Sequence, residues 1–244
     1  MKRPIRLAAL LLAATTVMTP VCRAETPGFL SDALTRYSKF EYTKALEMLL
    51  PLAHRGDPVA EEILGFMYAK GEGIPSDEAA AYHWFTLAAV GGRTEAQFQL
   101  GLIYRDGLGV PKDGKTALYW LGRAAQQGSP DAMNAAGEVY LGHADVAADY
   151  AAALEWFFRA AEHGSAQAMF NIGIRYTLGQ GVKRDEIEAF KWFELATKEG
   201  FGSLRDSAAS ARISLAGRLT PVQVQMASVR VQNWVREHRG NRIQ

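Results

Sequence analysis

From about residue 57 to residue 203 the apolar positions alternate between two helical patterns. Ala96, Leu100 and Tyr104 lie at i, i+4 and i+8 and mark one stripe of a first helix. Ala117, Leu118, Trp120, Leu121, Ala124 and Ala125 follow at i, i+1, i+3, i+4, i+7 and i+8. That face is wider than a surface helix needs. It predicts a second helix covered on two sides, by its own partner and by the next pair. Gly101, beside the first stripe, costs ~1 kcal/mol of helix propensity. Its presence predicts that a neighbouring helix comes too close for a side chain.

The same grammar repeats with a period of 36 residues, read from Trp84, Trp120, Trp156 and Trp192. Tyr68, Tyr104, Tyr140 and Tyr176 keep step, as do Gly65, Gly101, Gly137 and Gly173. So do Asp77, Asp113, Asp149 and Asp185, alanines 81, 117, 153 and 189, and glycines 92, 128, 164 and 200. A period of this length marks a stacked array of helical pairs. The aspartates stand where an N-cap oxygen accepts from free backbone N–H groups. Asp185 with Glu188 reads as a capping box. Gly128 and its equivalents are placed to end helices in the left-handed conformation, near His54, Arg55, Gln127 and His163, which suit a helix C-terminus. The recurrent tryptophans, on the broad face, read as core.

The array has atypical ends. A shorter unit over 25–56 carries Tyr37, Ala45, Met48, Leu52 and Gly56 in matching places. Beyond 203, residues 204–218 read as one helix, and a last one starts at Thr220 and Pro221, with Gln223 closing its box. Terminal units differ because one face meets water. Arg236, Glu237, His238, Arg239 and Arg242 form a basic end, so 204–244 reads as capping helices and tail.

Residues 1–24 read as a signal peptide. Lys2, Arg3 and Arg6 precede an uncharged apolar run from Leu7 to Met18, then Pro20 and Cys22-Arg23-Ala24, with cleavage expected after Ala24. The run is short of the ~20 residues that span a bilayer. Thr19-Pro20-Val21 makes a poor lipobox for Cys22, and no other stretch reads as a membrane helix. The leader carries four of the 27 cations and no acid, so its loss leaves 23 against 26 acids and turns +1 into −3. A mildly acidic surface argues against nucleic acid as partner. Cys22 is the only cysteine and leaves with the leader, so the mature chain suits an oxidising compartment without disulfides. The expected location is periplasmic or secreted.

Candidate chemistry is thin. Gly109-Val-Pro-Lys-Asp-Gly114-Lys115-Thr116 satisfies the P-loop pattern, but that motif needs a preceding strand, and a helix precedes it here. It reads as a coincidence of repeat grammar. No two histidines stand at i, i+4, and no G-x-S-x-G string occurs. Glu61-Glu62 and Asp185-Glu186 are sequence neighbours on adjacent helical faces, not converging pairs. No catalytic, metal or cofactor residues are assigned, and the expectation is a non-enzymatic protein.

The string Leu100-Gly101-Leu-Ile-Tyr104-Arg-Asp-Gly107-Leu-Gly109-Val110-Pro111-Lys-Asp113, with Ala117, Trp120, Ala124-Ala125 and Gly128, resembles the Sel-one-like repeat, a relative of the tetratricopeptide repeat. The resemblance covers about 57–203. It implies an all-α, right-handed α/α superhelical solenoid whose first helices line a concave face, and a scaffold or adaptor that binds protein or peptide. Cysteine-rich relatives linked with β-lactam chemistry are a poor guide to a mature chain without cysteine. The third unit also departs, with His143 and Asp145 where the others carry Gly71/Gly73, Gly107/Gly109 and Gly179/Gly181. A different loop path is expected, as a repacked turn or a contact site.

By that geometry the concave wall takes Val59, Glu62, Phe66 and Ala69, then Glu95, Phe98, Leu102 and Arg105. Asp131, Asn134, Glu138 and Leu141 follow, then Gln167, Phe170, Ile174 and Thr177. Candidate partner-binding residues are Glu62, Phe66, Phe98, Leu102, Arg105, Asn134, Glu138, Phe170 and Ile174. They form either a partly apolar trough or seals between units. An envelope adaptor leads. An inhibitor of a membrane sensor would use the same surface, and a cell-wall or β-lactam hydrolase is the enzymatic alternative.

Overall fold

The computed structural model describes residues 28–142 and 145–238. The expected leader, His143, and Arg239 and Arg242 of the tail lie outside the described residues. Within them the chain is all helix and turn. The N-terminal pair is α1 (Phe29–Ser38) and α2 (Tyr42–Ala53). Four full units follow: α3 (Pro58–Lys70) with α4 (Glu78–Val90), and α5 (Thr94–Asp106) with α6 (Gly114–Gln126). Then come α7 (Pro130–Val139) with α8 (Tyr150–Glu162), and α9 (Ala166–Leu178) with α10 (Glu186–Glu199). The chain closes with α11 (Gly202–Ala216) and α12 (Pro221–His238).

Each first helix packs on its own second helix, and each second helix on the next first helix. First helices also touch along the array, α3 on α5, α5 on α7 and α9 on α11. This is the stacked array of helical pairs that the periodicity predicts, and the all-α superhelical solenoid that the resemblance implies. The last helix breaks the rule, for α12 lies back on α10.

The periodic glycines explain how the pairs fit. A Cβ on Gly65 would stand 2.6 Å from the Phe85 ring, and one on Gly101 2.6 Å from Leu121. Gly137 and Gly173 meet Phe157 and Phe193 in the same way, at 2.6 and 2.7 Å. A large side chain of the second helix thus fills the notch in the first, which offsets the helix-propensity cost of glycine. The residue that fills each notch is therefore the one after the tryptophan. Trp84 and Trp192 are buried, but Trp120 and Trp156 are only half-buried, which corrects the reading of all four as core. Trp192 owes its burial partly to the last helix, whose Trp234 ring lies edge-on at 4.7 Å.

The caps follow the sequence with two corrections. Asp77, Asp113, Asp149 and Asp185 each accept backbone N–H groups from the first turn of the helix they precede. Their own N–H groups donate to the carbonyls of Tyr68, Tyr104, Tyr140 and Tyr176. The tyrosine and aspartate registers are thus tied by one repeated backbone bond. It also undoes the expected Asp185/Glu188 box, because the donor Glu188 would need is taken. Glu188 instead accepts from Lys191, from Trp192 Nε1 at 3.0 Å and from Arg230 at 2.8 Å. The Thr220/Gln223 box forms, with Thr220 N–H donating to Gln223 at 2.8 Å and Gln223 N–H to Thr220 Oγ1 at 3.3 Å. Gly92, Gly128 and Gly164 are left-handed, but Gly200 is extended at φ −79°. Only two residues separate α10 from α11, so the chain continues straight into the next helix.

The third unit takes the different path its sequence demands. Helix α7 has 10 residues where α3, α5 and α9 have 13. In the ordinary units the second loop glycine seats the loop on the start of the preceding unit's second helix. Gly181 shows the fit: a Cβ there would lie 2.5 Å from the Tyr150 carbonyl oxygen. Asp145 fills that role by different chemistry. Its carboxylate accepts the Gly114 N–H at 2.6 Å, so the third loop is pinned to the first residue of α6.

Candidate partner-binding face

The first helices form one wall, and nine residues on it were singled out by register. The structure sorts them into two groups. Phe66, Phe98, Leu102, Phe170 and Ile174 are half-buried. Each leans on the core below. Phe66 meets Phe85 edge-on at 5.0 Å, and Phe170 lies 5.5 Å from Phe193. Phe98 and Leu102 pack against the cluster around Leu121 and Val139, and Ile174 against that around Phe193 and Leu215. They seal joints with one side and leave the other to solvent.

The polar members are engaged across the joints. Glu62 is buried and takes two bonds from Arg93, at 2.7 and 3.1 Å. Arg105 pairs with its neighbour Asp106 at 2.8 Å and with Glu138 of the next unit at 2.7 Å. The hydrogen bonds to Asp106, then the charge of both carboxylates, hold that guanidinium's pKa above its ordinary value despite burial. Glu138 also accepts from the buried Asn134 at 2.9 Å, and Asn134 accepts from Asn171 of the fourth unit at 3.0 Å. A polar line therefore runs from α5 through α7 to α9, stitching three units together.

Sequence reading missed several partners in this stitching. Gln97, fully buried, donates to the Ala89 carbonyl and accepts from Gln127, which also reaches the Gly92 carbonyl. Tyr82 and Tyr104 share a hydroxyl contact of 2.8 Å, and that bond, with burial, pushes the Tyr104 phenol up to about 12. Burial raises the pKa of Glu61. Arg175 stands in the register of the core residues Met67, Ile103 and Val139. Its buried Nε lacks a hydrogen-bond partner, and burial lowers its pKa. Comparison of registers signals this one in advance, since an arginine replaces an apolar residue.

The P-loop lookalike has a structural account. Helix α5 precedes it, and its amides are committed: Gly114 N–H to Asp145, and Thr116 N–H and hydroxyl to Asp113. Those are donors a phosphate would need. Among the described residues no group of three or more His, Asp or Glu is placed to hold a metal ion. None of the described helices is long and apolar enough to cross a membrane.

Comparison with known proteins agrees with this architecture. A Sel1 repeat protein from Oxalobacter formigenes superimposes with a TM-score of 0.64 at 27% identity, over 81% of this chain and 88% of that one. A Klebsiella pneumoniae subsp. pneumoniae structure described as a sel1 repeat protein gives 0.51 at 19% identity, over 81% and 96%, a likeness of fold. No curated protein matches. The Sel1 repeat profile matches four consecutive blocks, 58–91, 94–129, 130–165 and 166–201. These blocks coincide with the four helical pairs α3–α4 to α9–α10, and the chain belongs to the Sel1 repeat family.

Proposed function

We propose that this chain is a non-enzymatic adaptor of the bacterial cell envelope that holds a protein or peptide segment along its first-helix wall. Sel1 repeat proteins are in general protein–protein interaction scaffolds, and the family is generally non-catalytic. The observation that carries the reading is the half-open apolar run of Phe66, Phe98, Leu102, Phe170 and Ile174. Behind it, Arg105, Glu138, Asn134 and Asn171 lock the units in register. A wall held rigid in this way keeps the entropic cost of binding low. The envelope assignment rests on the leader-like segment 1–24 and the cysteine-free remainder.

Site-specific photo-crosslinking in the native cell tests the surface. A crosslinker at Leu102 or Thr177 should capture a defined protein, and one at Tyr119, exposed on a second helix, should not. Capture from Tyr119 alone, or from none of the three, would overturn the trough. Serine at Phe170 is a poorer probe, because that ring also supports the core. Cell fractionation with the mass of the mature N-terminus tests export, and an intact chain in the cytosol would sink it.

A further inference from the structure

Where α9 meets α11, the first-helix wall opens into a cavity of about 190 Å³. Its walls are Ile174, Leu178, Phe193, Ala211 and Leu215. At its mouth the apolar surface is open, for Leu178 is 59% exposed. Arg218, after α11, lines both this cavity and an adjoining cleft of about 740 Å³. It is half-exposed, and its ion pair is loose, 3.5 Å from the same Glu186 oxygen that Arg184 contacts more closely. Lys183 and Arg184 line the cleft as well. The facing acids are engaged: Glu186 with Arg184, and Asp185 with the α10 cap and Arg230. An apolar socket therefore adjoins a cation with room for another carboxylate.

We infer that this socket is an anchor site for a protein partner that inserts one leucine- or phenylalanine-sized side chain and sets an adjacent carboxylate on Arg218. Charge decides the occupant, since Lys183 and the loosely held Arg218 offer an acidic segment the complement that a basic one would lack. The apolar side chain supplies most of the affinity, because buried apolar area outweighs an exposed ion pair. The site lies at the end of the proposed trough and extends that reading, which it deepens by naming the chemistry of the partner.

The test is methyl NMR of Ile174, Leu178 and Leu215 during titration with the capped dipeptide Ac-Leu-Glu-NH2 at millimolar concentration. Replacing its leucine by serine should weaken binding roughly tenfold or more. Replacing its glutamate by glutamine should weaken it about two- to fivefold. Arg218→Gln should erase the second difference. Ser214→Phe, which fills the mouth from the exposed side of α11, should abolish the shifts with the fold intact. N-acetyl-leucine as the free acid should bind more weakly than the dipeptide, as an internal acidic segment requires, and tighter binding would overturn that occupant. No shift at these methyls, equal shifts for the leucine and serine peptides, or shifts that survive Ser214→Phe would overturn the anchor. Failure here with crosslinks from Leu102 intact removes only the anchor. Crosslinks lost with dipeptide binding intact remove only the trough.

Discussion

Two neighbouring joints solve one problem in opposite ways. Between the third and fourth units, Gly181 brings loop backbone against the backbone of Tyr150, with no room for even a methyl group. Between the second and third, Asp145 reaches the helix start with a carboxylate, and the glycine sits on the other side, as Gly114. Both loops are seated on the first residues of a second helix, one by close backbone approach and the other by a carboxylate that takes a free N–H.

The harshest way to break the comparison is Gly181→Ala. It forces a side chain into a φ of +74° and onto a carbonyl oxygen, and should cost about 3 kcal/mol or more in urea denaturation. A neutral result would show that the loop seat yields easily. Asp145→Ala removes a charge-assisted bond to a helix N-terminus and should cost about 1–2 kcal/mol in the same assay. Gly109→Ala should be milder, about 1 kcal/mol, since a methyl group there comes no nearer than 3.3 Å to Glu78, and the left-handed backbone supplies most of the cost.

The smallest effect is one of pH. Asp113 shares the start of α6 with Asp145, and the Thr116 hydroxyl and amide hold its carboxyl pKa below the ordinary value. A depressed folded-state pKa stabilises above the unfolded value and loses that contribution as pH falls through the folded one. The stability gap between the parent chain and Asp113→Ala should therefore close as pH drops from neutral to below about 4. A gap that stays constant would mean that the cap acts without its charge.

What the sequence disclosed and what it hid divide along the range of the interactions. The caps at Asp77, Asp113 and Asp149 and the notches at Gly65 to Gly173 were readable because their partners lie within one unit or recur in every unit. Glu188 was misread because its partner, Arg230, comes from the non-repeating last helix, 42 residues away. Trp120 and Trp156 were overrated because periodicity marks the shared face but not its depth. The candidate wall was located by register, yet the burial of Glu62 and Asn134 depends on Arg93 and Asn171, which no rule of spacing proposes. The socket near Leu215 needed α11, where the repeat has faded.

The Asp145–Gly114 bond also bears on how such an array can be lengthened or shuffled. A glycine-seated unit asks only for backbone from its predecessor, so a duplicated copy of the fourth unit can follow any helix pair of ordinary length. The third unit asks its predecessor for one free backbone N–H at the start of a second helix, which any residue but proline can give there. What the junction demands of its neighbour is thus a donor, not a side chain.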